Sequence, residues 1–417
     1  MTAARVREVV DPAFAWLSAE RDRFVLGEEA LDDAGAVNTT WKPLGELAQV
    51  CSTTLHRTTA DEPLHRRARD LLAFAWRQTE HGELLLRQQR REPFSTYPLE
   101  VYAAFASAGL RHEGFAALAA RLAAPRGRRL VEQVPVRRLG VLLAERHCGR
   151  HPDGEVPDVL SRTWLGGLAE PWAFERLSGY ALTHVVYHLT DWGRGGPGLP
   201  PRLADYLTLW LPAWLDTCLD AGMWDLACEL LAVAASLPDP ADATGSAGHE
   251  EALSSARAAG REDAWAALAA GHGDAWAALA AGHENTWAAR PPGHENTWAA
   301  RPPGHENTWA ARPPGHENTW AARPPGHENT WAARAPGHGD PWAALAACQD
   351  EAWAALAAAR HPSGAIPEEA EGAADADGAP DFLGHYHSTL MAVFAGVLAL
   401  DRLGDARVPP GRQGAHA

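Results

Sequence analysis

Lysine is almost absent from this chain of 417 residues: Lys42 is the only one, and every other basic side chain is an arginine. Together with abundant Ala, Gly and Pro, this is the residue usage of a GC-rich, actinobacterial genome. Basic charge is scarce in total, with 37 basic against 53 acidic residues and a formal charge of −16, and no basic block or basic-aromatic alternation occurs. Phosphate neutralisation therefore does not account for the protein, and no nucleic-acid partner is expected. Long apolar runs are missing too. The longest, LMAVFAGVLAL at 390–400, falls well short of the roughly 20 residues of a membrane span, so no membrane association is expected. The N-terminal MTAARVREVVDPAFAWL mixes charges into its apolar positions and lacks the uninterrupted core of a secretory signal. Five cysteines, an odd number without a CxxC pair, fit neither a disulfide framework nor a zinc ribbon and read as reduced, buried thiols. A cytoplasmic location is the expectation.

Alternating β-branched runs are lacking as well, while helical periodicity is nearly continuous outside one repetitive segment; the predicted class is all-α. The pattern predicts helices near 12–24, 43–57, 63–90, 98–109, 112–123, 135–147, 173–191, 201–220, 222–236 and 382–403. Pro43 suits a first helical turn, and Gly193 suits the position just past a helix end. Short Gly- or Pro-bearing links, as in LRHEGF, LDAGMW and HPDGEVP, imply antiparallel helical hairpins. RHPDGEVP (150–157) and RHPSGAIP (360–367) are internal echoes, each followed by a helix with histidines in its early turns. A repeated outer-helix, loop, inner-helix unit builds an incomplete α/α toroid, and a plain helical array has the same pattern.

The repetitive segment has a period of eleven. Nine tryptophans from Trp265 to Trp353 and seven histidines from His272 to His338 keep that step, and the inner copies read GHENTWAARPP. Pro-Pro removes backbone donors and restricts the residue before it, so an inner copy holds one or two helical turns at most. Eleven residues with one Trp are also too few for a solenoid unit. Near-identical inner copies between diverged outer ones suggest expansion of a tandem array by copying of one helix start. The expected organisation is a main helical part at 1–250, a tandem insertion at 251–360 whose excisable core is 262–349, a closing helical unit at 361–403 and a flexible tail at 404–417. A binding role for the array is the alternative, although single histidines on a flexible chain chelate weakly.

Chemistry is densest in YALTHVVYHLTDWG, residues 180–193. His184 and His188 are one turn apart and share a face, the spacing by which a helix offers two imidazoles, and Asp191 continues the stripe. At 1.5 Å per residue, however, Asp191 lies about 10 Å along the axis from His184, so one ion cannot readily take all three. Val185 and Val186 stand where a metalloprotease would carry its glutamate. His385 and His387 are the candidate ligand-binding partners from the second echo. Asp191 near a helix C-terminus needs compensation, by an arginine or by a role as general base beside His188. Lys42 could be an amine catalyst if desolvated, or an ordinary exposed charge. No metal site and no cofactor is expected, and no phosphate loop, nucleophile elbow or Cys-His zinc pair is present.

Several stretches occur in an order that resembles an uncharacterised actinobacterial domain-of-unknown-function family: WKPLGELAQ (41–49), FSTYPLEVYAAFASAGLRHEGF (94–115), RRLGVLLAERHCG (137–149), THVVYHLTDWG (183–193), LWLPAWLDTCLDAGMWDLACELLAVAASLP (209–238) and HYHSTLMAVFA (385–395). The resemblance covers about 10–240 and 380–403, omits the Trp array, and implies an intracellular all-α domain with no assigned activity or catalytic residues. The sequence expectation is thus a cytoplasmic helical accessory protein that binds an unknown small molecule or peptide in a cavity lined by His184, His188, Asp191 and His387. An enzyme using the His184/His188/Asp191 cluster for acid–base or metal-assisted chemistry is the alternative.

Overall fold

The structure is a computed structural model that describes residues 1–27, 30, 40–150, 154–196, 198–238, 340–370 and 379–405. These form fourteen α-helices and, among the described residues, no strand. They are α1 (Ala3–Ala19), α2 (Trp41–Arg57), α3 (Pro63–Gln78), α4 (Glu83–Arg91), α5 (Tyr97–Ser107), α6 (Glu113–Ala123), α7 (Arg126–Arg129), α8 (Pro135–Arg146), α9 (Val156–Ser161), α10 (Arg176–Leu189), α11 (Pro201–Asp220), α12 (Trp224–Ala235), α13 (Pro341–Ala359) and α14 (Tyr386–Asp405). The all-α expectation holds, and most predicted helices are present with their ends shifted by a few residues.

Three differences have identifiable causes. Helix α1 begins nine residues before the predicted start because Thr2 caps it, accepting from the Arg5 amide, and Pro12 is tolerated inside it. The predicted helix 63–90 is two helices, because Glu80, His81 and Gly82 all have positive φ. Gly82 is required there: a Cβ would lie 2.7 Å from His112 and 2.9 Å from the Trp76 ring. The third difference is α13, which carries the last two tryptophans of the eleven-residue series. Trp353 is 1% exposed, and Leu345, Cys348 and Leu356 are buried with it. Without prolines after Pro341, PWAALAACQDEAWAALAAA is a continuous good helix former, and Asp340 caps it.

Six helices pack in a closed succession: α2 on α5, α5 on α8, α8 on α10, α10 on α12, α12 on α14, and α14 back on α2. Others cover them from outside, with α3 on α2, α4 on α5, α9 on α8, α11 on α12, and α1 on α14. Helix α13 packs on α1, α11 and α12. The RHPSGAIP loop ties this arrangement together. The His361 amide donates to the Ala365 carbonyl at 2.8 Å, and the Ile366 amide to Thr389 Oγ1 of α14 at 2.9 Å.

The chain divides into two compact units, and every described residue belongs to the first: Met1–Asp32, Ala36–Pro238 and Gly339–Ala417. The second comprises Asp33–Gly35 and Asp239–His338. Of the expected tandem segment, 251–339 lies outside the described residues and 340–360 holds α13. The expected tail at 404–417 begins within α14, and 406–417 lies outside the described residues. Among the described residues no helix is long and apolar enough to cross a membrane.

The position of α13 sets a test of the insertion boundary. Deleting 262–338 should retain far-UV helical signal and one cooperative urea transition. Deleting 262–349 also removes buried Leu345 and Cys348 and should cost on the order of 3 kcal/mol or more, read from the urea midpoint.

Candidate functional site

Helix α12 is almost wholly buried and almost wholly apolar, yet its sequence WDLACELLAVAA carries Asp225 and Glu229 one turn apart on one face. Their exposures are 5% and 0%. Such carboxylates must find donors or cations, because an unpaired buried charge costs several kcal/mol. Asp225 accepts from His387 Nδ1 at 2.6 Å and from the Tyr180 hydroxyl at 2.6 Å. Glu229 accepts from the Thr183 hydroxyl. The other ring nitrogen of His387 faces two carboxylates, with Nε2 at 3.5 Å from Glu46 Oε1 and 3.7 Å from Glu229 Oε1. Lys42 Nζ approaches Glu46 Oε1 at 3.9 Å.

These residues belong to the six mutually packed helices: Lys42 and Glu46 to α2, Tyr97 and Glu100 to α5, Arg137 to α8, Tyr180, Thr183 and His184 to α10, Asp225 and Glu229 to α12, and Tyr386 and His387 to α14. Lys42, Tyr97, Arg137, Asp225, Tyr386 and His387 all lie in the first turn of their helices. Unsatisfied amides and the positive end of the helix dipole favour carboxylates there, as for Asp225 on α12. Two further pairs border the cluster, Arg137 with Glu100 at 2.7 Å and Arg176 with Glu369 at 2.6 Å.

The protonation states follow from burial and neighbours. Burial opposes the charge on His387, but Asp225 and Glu46 outweigh it and raise the imidazole to about 10, so it is an imidazolium at neutral pH. Asp225 also resists burial and is lowered, chiefly by His387. Glu229 moves the other way: burial dominates and raises it, with Asp225 and Glu46 adding repulsion. For Lys42 burial is outweighed by Glu46, Asp225, Glu368 and Glu229, so it remains an ammonium. An ammonium is not the free amine that Schiff-base chemistry needs. An imidazolium has no lone pair for a metal, and among the described residues no three metal-ligating side chains converge closely enough to hold an ion.

Of the residues predicted from sequence, the structure brings His184 and His387 to the cluster. His184 donates through Nδ1 to the Tyr180 carbonyl at 2.7 Å and lies 3.9 Å from Glu229 Oε2. Burial lowers it to about 3, so it is neutral. His188 is one turn away with its ring pressed on α8, where a Cβ on Gly140 would stand 2.7 Å from the ring; burial lowers it to about 3 as well. Asp191 and His385 have other partners. Asp191 lies beyond the end of α10, at φ 49°, and binds His147 Nε2 and Arg194 at 3.0 Å each. Arginine compensation for this carboxylate is therefore present. His385 donates through Nδ1 to the Asp381 carbonyl at 2.7 Å.

The LTDWG part of the motif ends the helix. Asp191, Trp192 and Gly193 take successive positive φ, Trp192 packs on Tyr187 and Phe394, and the Gly193 carbonyl accepts from Arg57 Nε at 2.6 Å. A Cβ on Gly193 would lie 2.5 Å from Leu398, so only glycine fits. Sequence reasoning found Lys42 and both histidines but missed Glu46, Tyr180, Asp225 and Glu229. The missed signal was two carboxylates at i, i+4 in an otherwise apolar helix.

The architecture and this cluster define an all-α protein built around a buried charged centre. Its sequence belongs to the family described as Domain of unknown function (DUF6895), whose family model matches residues 10–397. No curated protein and no solved structure matches the chain.

These shifts predict the pH dependence of stability. His387, raised above its ordinary value of 6.5, stabilises the fold fully below that pH and loses the contribution as pH rises through about 10. Raised Glu229 adds to the decline above the ordinary carboxylate range. His184 and His188, lowered to about 3, stabilise above 6.5 and lose this as pH falls. The urea midpoint should therefore peak near pH 6.5, with a shallower alkaline decline in Glu229→Gln. A profile unchanged between pH 5 and 9 in the wild type would contradict this account.

Proposed function

We propose that the protein is a helical binding protein that takes a small polar ligand within the succession of α2, α5, α8, α10, α12 and α14. One observation carries this reading. Glu46 Oε2 and Glu229 Oε1 are buried without a hydrogen-bond partner among the described residues, and their carboxylates flank the same imidazole nitrogen of His387. A buried acceptor left unsatisfied costs about 1–3 kcal/mol, and more when charged, so a donor arriving there is strongly favoured. The closed packing cycle supports an α/α toroid with its ligand at the helix starts. The residues that would contact the ligand are Glu46, Glu229 and His387, with His184 and His188 beside them. Five free cysteines and an acidic balance of 53 acidic against 37 basic residues fit a cytoplasmic protein that does not bind nucleic acid.

A second reading, an enzyme with acid–base chemistry, is favoured by the opposite shifts of Asp225 and Glu229 one turn apart. In that role His387 would donate, oriented by Asp225, and protonated Glu229 would exchange a proton with substrate.

A thermal-shift screen of polar metabolites tests the site. Ligands that stabilise the wild type should lose most of their effect in Glu46→Gln and Glu229→Gln. Equal stabilisation of wild type and both variants by every such ligand would place binding elsewhere. Turnover of a stabilising ligand, lost in Glu229→Gln, would favour the enzyme.

A further inference from the structure

We infer that the ligand of this site is an organic cation presenting N–H donors, a primary ammonium in its simplest form. This rests on the binding-site reading above and specifies its chemistry. The groups left open are acceptors, Glu46 Oε2 and Glu229 Oε1, so the occupant must donate. Charge points the same way. Among the described residues Glu46, Asp225 and Glu229 surround His387 and Lys42, while Arg137 pairs with Glu100 and Arg176 with Glu369. With all three carboxylates ionised, they exceed these two cations by one negative charge.

In the ligand-free protein that excess is relieved by a proton on Glu229, whose carboxyl is raised first by burial and further by repulsion from Asp225 and Glu46. An ammonium at Glu229 Oε1 would replace the proton's charge and supply the donors that both orphaned oxygens require. A metal ion is disfavoured because no three ligating side chains converge among the described residues. The groups facing Glu229 include Tyr180, Thr183, His184 and Tyr187 from α10, Asp225 and Cys228 on its own helix, Glu46 and Lys42 from α2, and His387 from α14. Glu229 combines a raised carboxyl with an open oxygen, so ligand and proton compete there. Lys42, whose side chain is 27% exposed, marks the end of the cluster nearest solvent.

The experiment titrates the full-length protein with methylammonium chloride, following the thermal midpoint against sodium chloride at matched ionic strength. Acetamide, acetate and magnesium serve as parallel probes. Methylammonium should raise the midpoint saturably by several degrees, and its affinity should be at least threefold higher at pH 8.5 than at pH 6.5 as the proton leaves Glu229. Both effects should be lost in Glu229→Gln and reduced at least fivefold in Glu46→Gln, which provides a second variant if the first folds poorly. Saturable binding of acetamide or acetate instead, sensitive to Glu46→Gln, would overturn the cation assignment while leaving the site in place. Binding of magnesium in preference to methylammonium would overturn the organic cation. Failure of all four probes, or methylammonium binding unaffected by both variants, would also overturn it; the metabolite screen then decides separately whether the site binds anything.

Discussion

The hydrogen bond between Asp225 and His387 is the interaction on which the interior of this protein depends. It joins α12 to α14, the most extensively packed pair of the six mutually contacting helices, at the buried first turns of both. Neither group could remain charged there alone, because desolvation would neutralise it. Together they stay ionised, and the imidazolium then holds Glu46 and Glu229 within reach of its second nitrogen. Asp225 also adds to the upward shifts of Lys42, Glu229 and Tyr180, on each of which burial acts first. An apolar centre of the same volume is often as stable as a buried charged one or more so, so this cluster is not explained by stability alone.

Helix ends do much of the positioning. Lys42, Asp225 and His387 reach the charged cluster from the first turns of α2, α12 and α14, and Glu46, Thr183, His184 and Glu229 from later turns. The opposite ends perform a structural task, clearest in α10. Its last turn is closed by Thr190, by left-handed backbone at Asp191, Trp192 and Gly193, and by Arg57, which binds the Gly193 carbonyl and also Asp401 of α14 at 2.8 Å. The most conspicuous motif in the chain is thus divided by position. Thr183 and His184 serve the charged centre, while the residues from Thr190 to Gly193 terminate the helix and fasten it to its neighbours.

The Trp series is likewise divided. Trp342 and Trp353 lie in α13, and Trp353 is core, whereas the earlier tryptophans fall outside the described residues. Proline content explains the difference in helix potential. The phrase around Trp353 has no Pro-Pro and continues the i, i+3, i+4 pattern of Leu345, Cys348, Ala352 and Leu356, all buried. Phrases of the same eleven-residue period can thus differ in what they are able to form, depending on two prolines.

The sequence by itself determined the fold class, since helical periodicity and the lack of alternating strands require no tertiary information. It also determined most helix positions and the glycine at 193. It pointed to Lys42, His184 and His387 because each residue type is rare or conspicuous where it stands. Only the tertiary structure decided which of these meet. Asp191 and His385 looked like companions of His184 and His387, but Asp191 lies past the end of α10 in left-handed backbone and His385 precedes the first residue of α14, and each has another partner. Glu46 and Glu229 were invisible as a pair because they are 183 positions apart and acquire meaning only when α2 and α12 both contact α14. Their unusual chemistry comes from burial, which belongs to the packed molecule and to no single stretch of its sequence.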